Sequence, residues 1–243
     1  MRQILFHIGP FAVYSYGLFL AIGIFLAMAV IKKFSRVSPS IVNSLSIWTV
    51  IGGIIGARLF YVFLNIAYYI QSPLEVFAIH KGGLVLYGGI AGGLILGFIF
   101  CKIRKLNFWQ ILDDVAMGLP LGMASGRLGC FLNGCCYGKE TQVLWAVKYP
   151  DILYKVHPVQ IYEALLLVFL FFVIYGFRKA FKAKIRGDVF LLCIIFYAII
   201  RFFMEFLRGD HPEGVSGLFQ IISIFIIVSF TGIMLYRHGT QRG

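Results

Sequence analysis

Charged residues are scarce in this chain of 243 residues. Asp, Glu, Lys and Arg together make up 13% of the sequence, against a usual share of about 25% in soluble domains. Acidic residues are the rarer charged type, with 10 Asp and Glu against 22 Lys and Arg. The 5 cysteines are too few for the disulfide-rich scaffolds of small secreted domains. The composition therefore excludes a water-soluble globular protein and a disulfide-stapled one.

Apolar residues dominate instead, at 60% of the sequence with a mean hydropathy of +0.89. A helix crosses the hydrocarbon core of a bilayer, about 30 Å thick, with about 20 apolar residues. Seven runs of spanning length occur, at residues 11–31, 41–64, 82–101, 111–133, 158–177, 187–207 and 217–236. The sequence therefore predicts an all-α, polytopic integral membrane protein with seven transmembrane helices. We expect residues 1–243 to form a single transmembrane domain.

The basic residues between these runs predict the orientation of the chain. Cytoplasmic segments of membrane proteins carry an excess of Lys and Arg. The segments after the first, third, fifth and seventh runs hold the larger share of these residues. We therefore expect an outer N-terminus, a cytoplasmic C-terminus and an outer location for the longest loop, 134–157. This pattern accounts for the net charge of +12, and no nucleic-acid partner is expected.

Ionisable side chains within the runs need a partner or a function, because a charge at the centre of a membrane helix costs about 2.5–3.5 kcal/mol. Besides Asp113, Asp114 and Asp188 at the starts of the fourth and sixth runs, the sequence contains five of them: Arg58, Arg127, Glu163, Arg201 and Glu205. Arg201 and Glu205 share a helix face, which Arg208 would continue one turn later. One interpretation is a set of interior salt bridges. The other is an anionic ligand, such as a phospholipid headgroup, because positive charges outnumber negative ones inside.

Residues 126–138 read Gly-Arg-Leu-Gly-Cys-Phe-Leu-Asn-Gly-Cys-Cys-Tyr-Gly and leave a span for the long loop. The glycines and Asn133 predict a tight bend that holds Arg127 inward. The three cysteines leave alternatives open: a disulfide between Cys130 and Cys135 or Cys136, or small apolar side chains in packing. The C-x4-C-C spacing is not a standard zinc pattern, so no metal site is expected.

Glycines also punctuate the second and third runs. Close helix packing explains Gly92, Gly93 and Gly97. The pairs at 82–83 and 88–89 suggest broken backbone near the outer boundary, where N–H groups could bind an anion. A further segment, 157–163, begins the fifth run with Pro158 and predicts Glu163 about one turn inside the helix, partly wetted. The segment could serve only to start the helix, or it could position a headgroup or support a proton acceptor.

Together these segments resemble the prolipoprotein diacylglyceryl transferase family over nearly the whole chain. The family signature Gly-Arg-x-Gly-Asn-Phe-x-Asn-Gly-Glu-x-x-Gly matches at Gly126, Arg127, Gly129, Phe131, Asn133, Gly134 and Gly138. The family's His-Pro-x-Gln-x-Tyr-Glu element stands at residues 157–163. Its Arg-x-x-x-Glu-x-x-Arg element, first-span Tyr-Gly and second-span Gly-Arg correspond to Arg201, Glu205, Arg208, Tyr16-Gly17 and Ala57-Arg58.

The chain departs from the family pattern at three positions. Tyr87 stands where the family has the His of Gly-Gly-x-x-x-His-Gly-Gly, and Cys130 and Cys135 replace the Asn and Glu of the signature. That His is the favoured base of the family. A phenol is a poor base at neutral pH, because it ordinarily loses its proton only near pH 10.

The resemblance implies an enzyme that moves the diacylglyceryl group of phosphatidylglycerol to the lipobox cysteine of a prolipoprotein and releases glycerol phosphate. It implies a bacterial cytoplasmic (inner) membrane location with the site toward the outer face, and neither a metal nor an organic cofactor. Six residues would be catalytic: Arg127, Arg201, Tyr87, Tyr16, Glu163 and Glu205. Seven would bind substrate: Arg58, Asn133, Gly83, Gly88, Gly126, Gly138 and Arg208.

Three other functions compete with this one. A related membrane transferase could use another acceptor or another anionic lipid. A thiol redox membrane protein would use Cys130, Cys135 and Cys136 and would not depend on Arg127. A transporter would also explain the buried charges, but transporters commonly carry internal repeats, and none is visible in this sequence.

Overall fold

The computed structural model describes residues 4–8, 11–78, 82–150, 152–181, 185–210 and 217–240. Seven helices are long and apolar enough to cross a membrane, which confirms the predicted number. They are α1 (Ser15–Phe34), α2 (Pro39–Leu64), α4 (Leu86–Ile103), α5 (Phe108–Asn133), α6 (Val159–Phe181), α7 (Asp188–Glu205) and α8 (Leu218–Thr240). The short helix α3 (Ile66–Gln71) and a 3-10 turn (Pro73–Phe77) follow α2.

The start of the first predicted span is wrong. Residues 11–14 do not belong to α1, because β2 (Phe11–Tyr14) pairs antiparallel with β1 (Ile4–Ile8) in a hairpin. Apolar and aromatic residues suit a strand as well as a helix, so hydropathy alone does not separate the two. Two more short strands, β3 (Val147–Lys148) and β4 (Lys155–Val156), pair within the loop between α5 and α6.

The chain divides into two compact units. One combines the residues up to Phe34 with those from Leu112 onward, and the other runs from Ser35 to Ile111. We call them unit 1 and unit 2. In unit 1, the buried core lies between α5, α6 and α7 and includes Met117, Leu167 and Ile174. Helix α8 packs on α7.

Helices α1 and α5 approach closely through small residues in unit 1. A Cβ at Gly23 would lie 2.6 Å from the carbonyl oxygen of Gly122, and a Cβ at Gly118 would lie 2.5 Å from that of Ala27. Ser125 Oγ donates a hydrogen bond to the carbonyl of Phe19, at 2.7 Å. Membrane helices associate mainly by van der Waals packing, which small residues make possible.

Unit 2 is built on the pair α2 and α4, which pack through glycines. A Cβ at Gly92 would collide with the carbonyl oxygen of Gly52, and one at Gly88 would collide with that of Gly56. The packing role expected for Gly92 is confirmed. The interpretation of Gly88 as broken backbone is wrong, because α4 begins at Leu86 and includes it.

A polar cluster of unit 1 surrounds the start of α7. The buried carboxylate of Asp113 accepts hydrogen bonds from the backbone N–H groups of Gly187 (2.6 Å) and Phe190 (3.0 Å), which caps the helix. Asp114 pairs with Arg178 at 2.9 Å. His238 lies in α8 and reaches Asp188 at 3.1 Å. We name Asp113, Asp114, Arg178, Asp188 and His238 the capping cluster.

Candidate active site

Two arginines from different helices share one buried carboxylate in unit 1. Nη2 of Arg127, on α5, lies 2.8 Å from Oε1 of Glu163 on α6. Nη1 of Arg201, on α7, lies 3.7 Å from Oε2 of Glu163, and Nη2 of Arg201 lies 3.0 Å from Glu205. The interior salt bridges considered from the sequence are therefore confirmed. We name Arg127, Glu163, Arg201 and Glu205 the ion-pair cluster.

The charges of the ion-pair cluster balance, since two arginines face two glutamates. The uncompensated positive charge expected from the residue count therefore does not lie here. The expected partial wetting of Glu163 is also wrong, because its side chain is 1% exposed between the helices. Arg127 and Arg201 retain 19% and 13% exposure, so the guanidinium groups are the members of the cluster open to a ligand.

Arg201 has hydrogen-bonding capacity left over. Within the described part of the chain, its buried Nη1 atom meets no acceptor in hydrogen-bond geometry. The guanidinium lies 5.5 Å from the ring centroid of Phe219, which holds it from the other side. A buried donor left without an acceptor costs about 1–3 kcal/mol. A phosphate oxygen would satisfy this donor with a charge-assisted hydrogen bond.

Tyr16 lies beside the C-terminal half of α5. A Cβ at Gly129 would lie 3.3 Å from the Cα of Tyr16, so the missing side chain at Gly129 allows this approach. Its hydroxyl interacts electrostatically with Cys130 and Arg127. Gly126 faces open space at its Cβ position, so this part of α5 leaves room beside Arg127. The structure thus brings Tyr16 and Arg127 together.

Tyr197 is a residue that the sequence analysis missed. It lies on α7, one turn before Arg201, and interacts with Arg127 and Glu163. The sequence does contain one indication of its role: Tyr197 is four residues before Arg201, a spacing that places both side chains on one helix face. An uncharged tyrosine in an apolar run gives no hydropathy signal, so the spacing alone did not single it out.

After α5, the chain folds back on the end of the helix. The N–H groups of Gly134 and Cys135 both donate to the carbonyl of Cys130, at 3.1 and 3.2 Å. Gly134 has φ of +80° and Cys136 has φ of +63°, a region that glycine enters easily and other residues at a cost. Asn133 Nδ2 donates to Sγ of Cys135 at 3.7 Å. The predicted tight bend is confirmed, and it places Asn133 beside the cysteines.

The cysteine thiols in this bend are free, and Sγ atoms of Cys130, Cys135 and Cys136 all lie within 4.8 Å of one another. Hydrogen bonds from the thiols of Cys130 and Cys135 lower the pKa of the Cys136 thiol, and the positive charges of Arg208 and Arg127 act in the same direction. A lowered thiol pKa raises the fraction present as thiolate.

The buried Gln160 holds this bend from α6. Its Nε2 donates to the carbonyl of Cys135 at 2.7 Å and to the hydroxyl of Tyr149 at 2.9 Å. Burial raises the pKa of Tyr149 to about 12, although the bond from Gln160 works against it. Gln160 belongs to the segment 157–163, but the sequence pattern predicts no function for it. Its function is visible only once the loop is placed on α6.

Arg208 does not continue the face of Arg201, because α7 ends at Glu205. Its guanidinium pairs with Asp210 at 3.0 Å instead. Burial works against the charge on Arg208, but the attraction of Asp210, followed by that of Cys136, outweighs burial and raises the pKa of Arg208. Gly138 forms a bridge with Arg208, and a Cβ at Gly138 would lie 2.6 Å from Val159. Gly138 thus serves close packing of the loop.

In unit 2, Arg58 holds a loop in place. Its guanidinium donates to the carbonyls of Val76 (2.8 Å), Glu75 (2.5 Å), Gly82 (2.8 Å) and Gly83 (3.3 Å). The carbonyls of these two glycines therefore face a cation, while the expectation that the segment presents N–H groups to an anion stays a prediction. Arg58 borders a cavity of about 400 Å³ that Gly83 also lines. Tyr87, at the start of α4, is 57% exposed.

Comparisons with known proteins agree with these motifs. The model of the family described as "Prolipoprotein diacylglyceryl transferase" matches residues 3–236. The phosphatidylglycerol--prolipoprotein diacylglyceryl transferase of Clostridium tetani (strain Massachusetts / E88) is 35% identical to this chain. The alignment covers 98% of this chain and 97% of that protein. The protein of the same name from Clostridioides difficile (strain 630) is 34% identical, covering 94% of this chain and 92% of the relative. That from Nostoc sp. (strain PCC 7120 / SAG 25.82 / UTEX 2576) is also 34% identical, covering 96% and 86%.

Proposed function

The chain belongs to the prolipoprotein diacylglyceryl transferase family, and we propose that it moves the diacylglyceryl group of phosphatidylglycerol to the lipobox cysteine of a prolipoprotein. The names of the relatives support the transferase activity, the lipid donor and the prolipoprotein acceptor. The protein is a multi-pass protein of the bacterial inner membrane. We further propose that residues 1–243 act as one transferase domain, with loop 134–157 and the site on the outer face.

One observation carries this proposal: Glu163 orients two arginines that come from different helices. Its buried carboxylate holds Arg127 and Arg201, while both guanidinium groups keep some exposure. Guanidinium is planar and presents paired donors that match the oxygens of a phosphate. Nη1 of Arg201 forms an ion pair with Glu163 at 3.7 Å but no hydrogen bond within the described part of the chain, so this hydrogen-bonding capacity is left for a ligand. The ion-pair cluster thus suits the phosphodiester of an anionic lipid.

The reaction needs a thiolate, a carbon electrophile and a stabilised leaving group. The sulfur of the lipobox cysteine forms a bond to the glycerol carbon that carries the phosphate ester, and the C–O bond to the phosphate breaks. The thiol proton leaves before or during attack, and glycerol phosphate departs with the bonding electrons. Arg127 and Arg201 stabilise the negative charge that remains on the phosphate. Glu163 and Glu205 hold these arginines in place.

We propose that Asn133 and Tyr16 act around this centre. Asn133 offers an amide near Cys135 for a headgroup hydroxyl. We propose that the hydroxyl of Tyr16, which interacts with Arg127, contacts the incoming thiol. The two oxygens of Glu163 already face the guanidinium groups of Arg127 and Arg201. We propose that Tyr87 donates a hydrogen bond to substrate and does not serve as the resting base.

The experiment that tests the function is mass spectrometry of a lipobox peptide. The purified protein in detergent or nanodiscs is incubated with the peptide and phosphatidylglycerol. We expect the peptide to gain the mass of one diacylglyceryl group on its cysteine and glycerol phosphate to appear in equal amount. A peptide with Ser in place of the lipobox Cys is the matched control and gains nothing. An unmodified Cys peptide in the presence of folded protein would contradict the proposal.

The same assay separates the competing functions. A transferase with another donor modifies the peptide only when a different anionic lipid replaces phosphatidylglycerol. A transferase with another acceptor consumes phosphatidylglycerol without modifying the peptide. A thiol redox protein leaves both substrates unchanged and alters only the oxidation state of added thiols.

A further inference from the structure

Three thiols converge at the end of α5, and the proposed reaction uses none of them. Cys130 is buried in the last turn of the helix, while Cys135 and Cys136 are half-buried in the bend that follows. All three are free, and their sulfur atoms lie within 4.8 Å of one another. The other two cysteines, Cys101 and Cys193, are buried on α4 and α7 and do not join this group.

The local backbone brings these thiols together. The carbonyl of Cys130 closes the bend, because it accepts hydrogen bonds from the N–H groups of Gly134 and Cys135. Gln160 fixes the carbonyl of Cys135 from α6. The left-handed conformation of Cys136 turns the chain so that its side chain shares the space of the other two. The arrangement is therefore held by hydrogen bonds from two segments of unit 1.

The distances suit a metal ion. An ion with metal–sulfur bonds of about 2.3 Å in a trigonal arrangement holds its three sulfur atoms about 4 Å apart. The three thiols can reach this spacing by small side-chain rotations. A disulfide would need a sulfur–sulfur distance of about 2.05 Å and would leave the third thiol unused.

The donor set selects the class of ion. Thiolate is a soft ligand that prefers Zn²⁺ and Cu⁺ over hard cations such as Mg²⁺. Among the described residues, no fourth His, Cys, Asp or Glu side chain joins the group. Three sulfur ligands suit trigonal Cu⁺, or Zn²⁺ with a water as fourth ligand. Arg208 and Arg127 interact electrostatically with Cys136, so the thiolate ligands face positive charge.

We propose that Cys130, Cys135 and Cys136 form a binding site for one thiophilic metal ion, Zn²⁺ or Cu⁺. Binding replaces three S–H bonds by three metal–sulfur bonds and releases three protons to solvent, with no change of oxidation state. A bound ion would tie the end of α5 to the bend that carries Asn133. This inference does not depend on the proposed transferase activity.

Metal uptake by the reduced, purified protein tests the site. Zn²⁺ is titrated against a chromophoric zinc chelator, and Cu⁺ is titrated separately, without oxygen, against a copper(I) chelator. We expect one equivalent of at least one ion per chain, and X-ray absorption should show three sulfur neighbours at about 2.3 Å. The two titrations identify which ion binds more tightly. Absence of uptake of both ions by folded, reduced protein would overturn the proposal.

The chain supplies a matched control variant. Cys130→Ser, Cys135→Ser and Cys136→Ser should each weaken binding at least about tenfold, while a Cys101→Ser, Cys193→Ser double variant should bind as the wild type does. Circular dichroism checks that each variant keeps its helices. Binding that persists in the triple Cys130, Cys135 and Cys136 variant, or that is lost only in the control, would refute the site.

A second measurement avoids substitutions altogether. The wild-type protein is treated with a maleimide with and without one equivalent of the bound ion, and modified peptides are identified by mass spectrometry. We expect the ion to slow modification of all three clustered cysteines together. Equal rates with and without the ion would contradict the proposal even if every variant failed to fold.

Discussion

Oε1 of Glu163 lies 2.8 Å from Nη2 of Arg127, and the two partners differ sharply in exposure. The carboxylate is 1% exposed, whereas the guanidinium keeps 19%. Glu163 therefore neutralises and orients Arg127 from the protein interior without competing for the side of the arginine that a ligand can reach. The same carboxylate faces Arg201, so one buried residue sets the positions of both phosphate-binding groups.

Removal of the charge of Glu163 should therefore affect folding and activity together. Glu163→Gln leaves two partly buried arginines with less counter-charge, and breaking a buried ion pair typically costs about 3–5 kcal/mol. We expect a lower Tm and a loss of most transfer activity, measured by thermal unfolding in detergent and by the peptide assay. Glu140→Gln, at an exposed position, should stay within about 0.5 kcal/mol of wild type. Equal stability of the two variants would contradict the assigned role of Glu163.

Substitution of the arginines by lysine tests the shape of the phosphate contact. Lysine keeps the positive charge but offers a single ammonium in place of the planar fork. Arg127→Lys and Arg201→Lys should each reduce kcat/KM by roughly 10²–10³-fold, the usual effect of removing one donor to a developing negative charge.

The control for this series is Arg178→Lys. Arg178 is also paired with a buried carboxylate, but it belongs to the capping cluster and not to the ion-pair cluster. We expect its kcat/KM to remain within about tenfold of wild type in protein that folds. Near-normal turnover by both Arg127→Lys and Arg201→Lys would leave the phosphate-binding role without support.

Tyr87 is tested by the pH dependence of transfer. A hydrogen-bond donor predicts that Tyr87→Phe slows the reaction without shifting the pH–rate profile. Tyr87→His should remain active and add a limb near pH 6.5, where imidazole ordinarily titrates. Identical rates of wild type and Tyr87→Phe at every pH would remove Tyr87 from the site.

The glycine contacts between α2 and α4 predict a stability difference. Gly92→Ala places a Cβ against the backbone of Gly52, and overpacking of this kind typically costs about 1–3 kcal/mol. Gly232→Ala, on α8, meets open space and should leave stability unchanged or raise it by up to about 1 kcal/mol through helix propensity. Thermal unfolding of both variants measures the difference. A Gly92→Ala variant as stable as Gly232→Ala would contradict the packing.

The orientation in the membrane is tested by reporter fusions. Fusions at Lys33, at Lys105 and at Lys182, which lies outside the described residues, should be cytoplasmic. Fusions near Lys148 and Asp210 should be external. The reason is the uneven distribution of Lys and Arg between alternate loops. A cytoplasmic signal from loop 134–157 would overturn both the orientation and the outward-facing site.

The number of spans and the five charges Arg58, Arg127, Glu163, Arg201 and Glu205 could be predicted from the sequence, because both depend on local chemistry. A run of about 20 apolar residues has the length of the bilayer core wherever it occurs, and an Arg or Glu within such a run is visible one residue at a time. The motif segments around Arg127, Glu163 and Arg201 also identified the family before any contact was known. Their boundaries were less secure, as residues 11–14 show, since an apolar run suits strand and helix alike.

Tertiary structure decided which charges pair with one another. Sequence spacing placed Arg201 beside Glu205, but only the packing of α5, α6 and α7 brought Glu163 between two arginines. The sequence shows Arg58 as a charge within a span, but only the folded loop shows the carbonyls that surround its guanidinium. The three cysteines had no standard metal spacing, yet the bend gathers their sulfur atoms within 4.8 Å. Residues that are far apart in the sequence come into contact only when the helices pack and the loops fold back on them. A local sequence pattern contains no information about these distances.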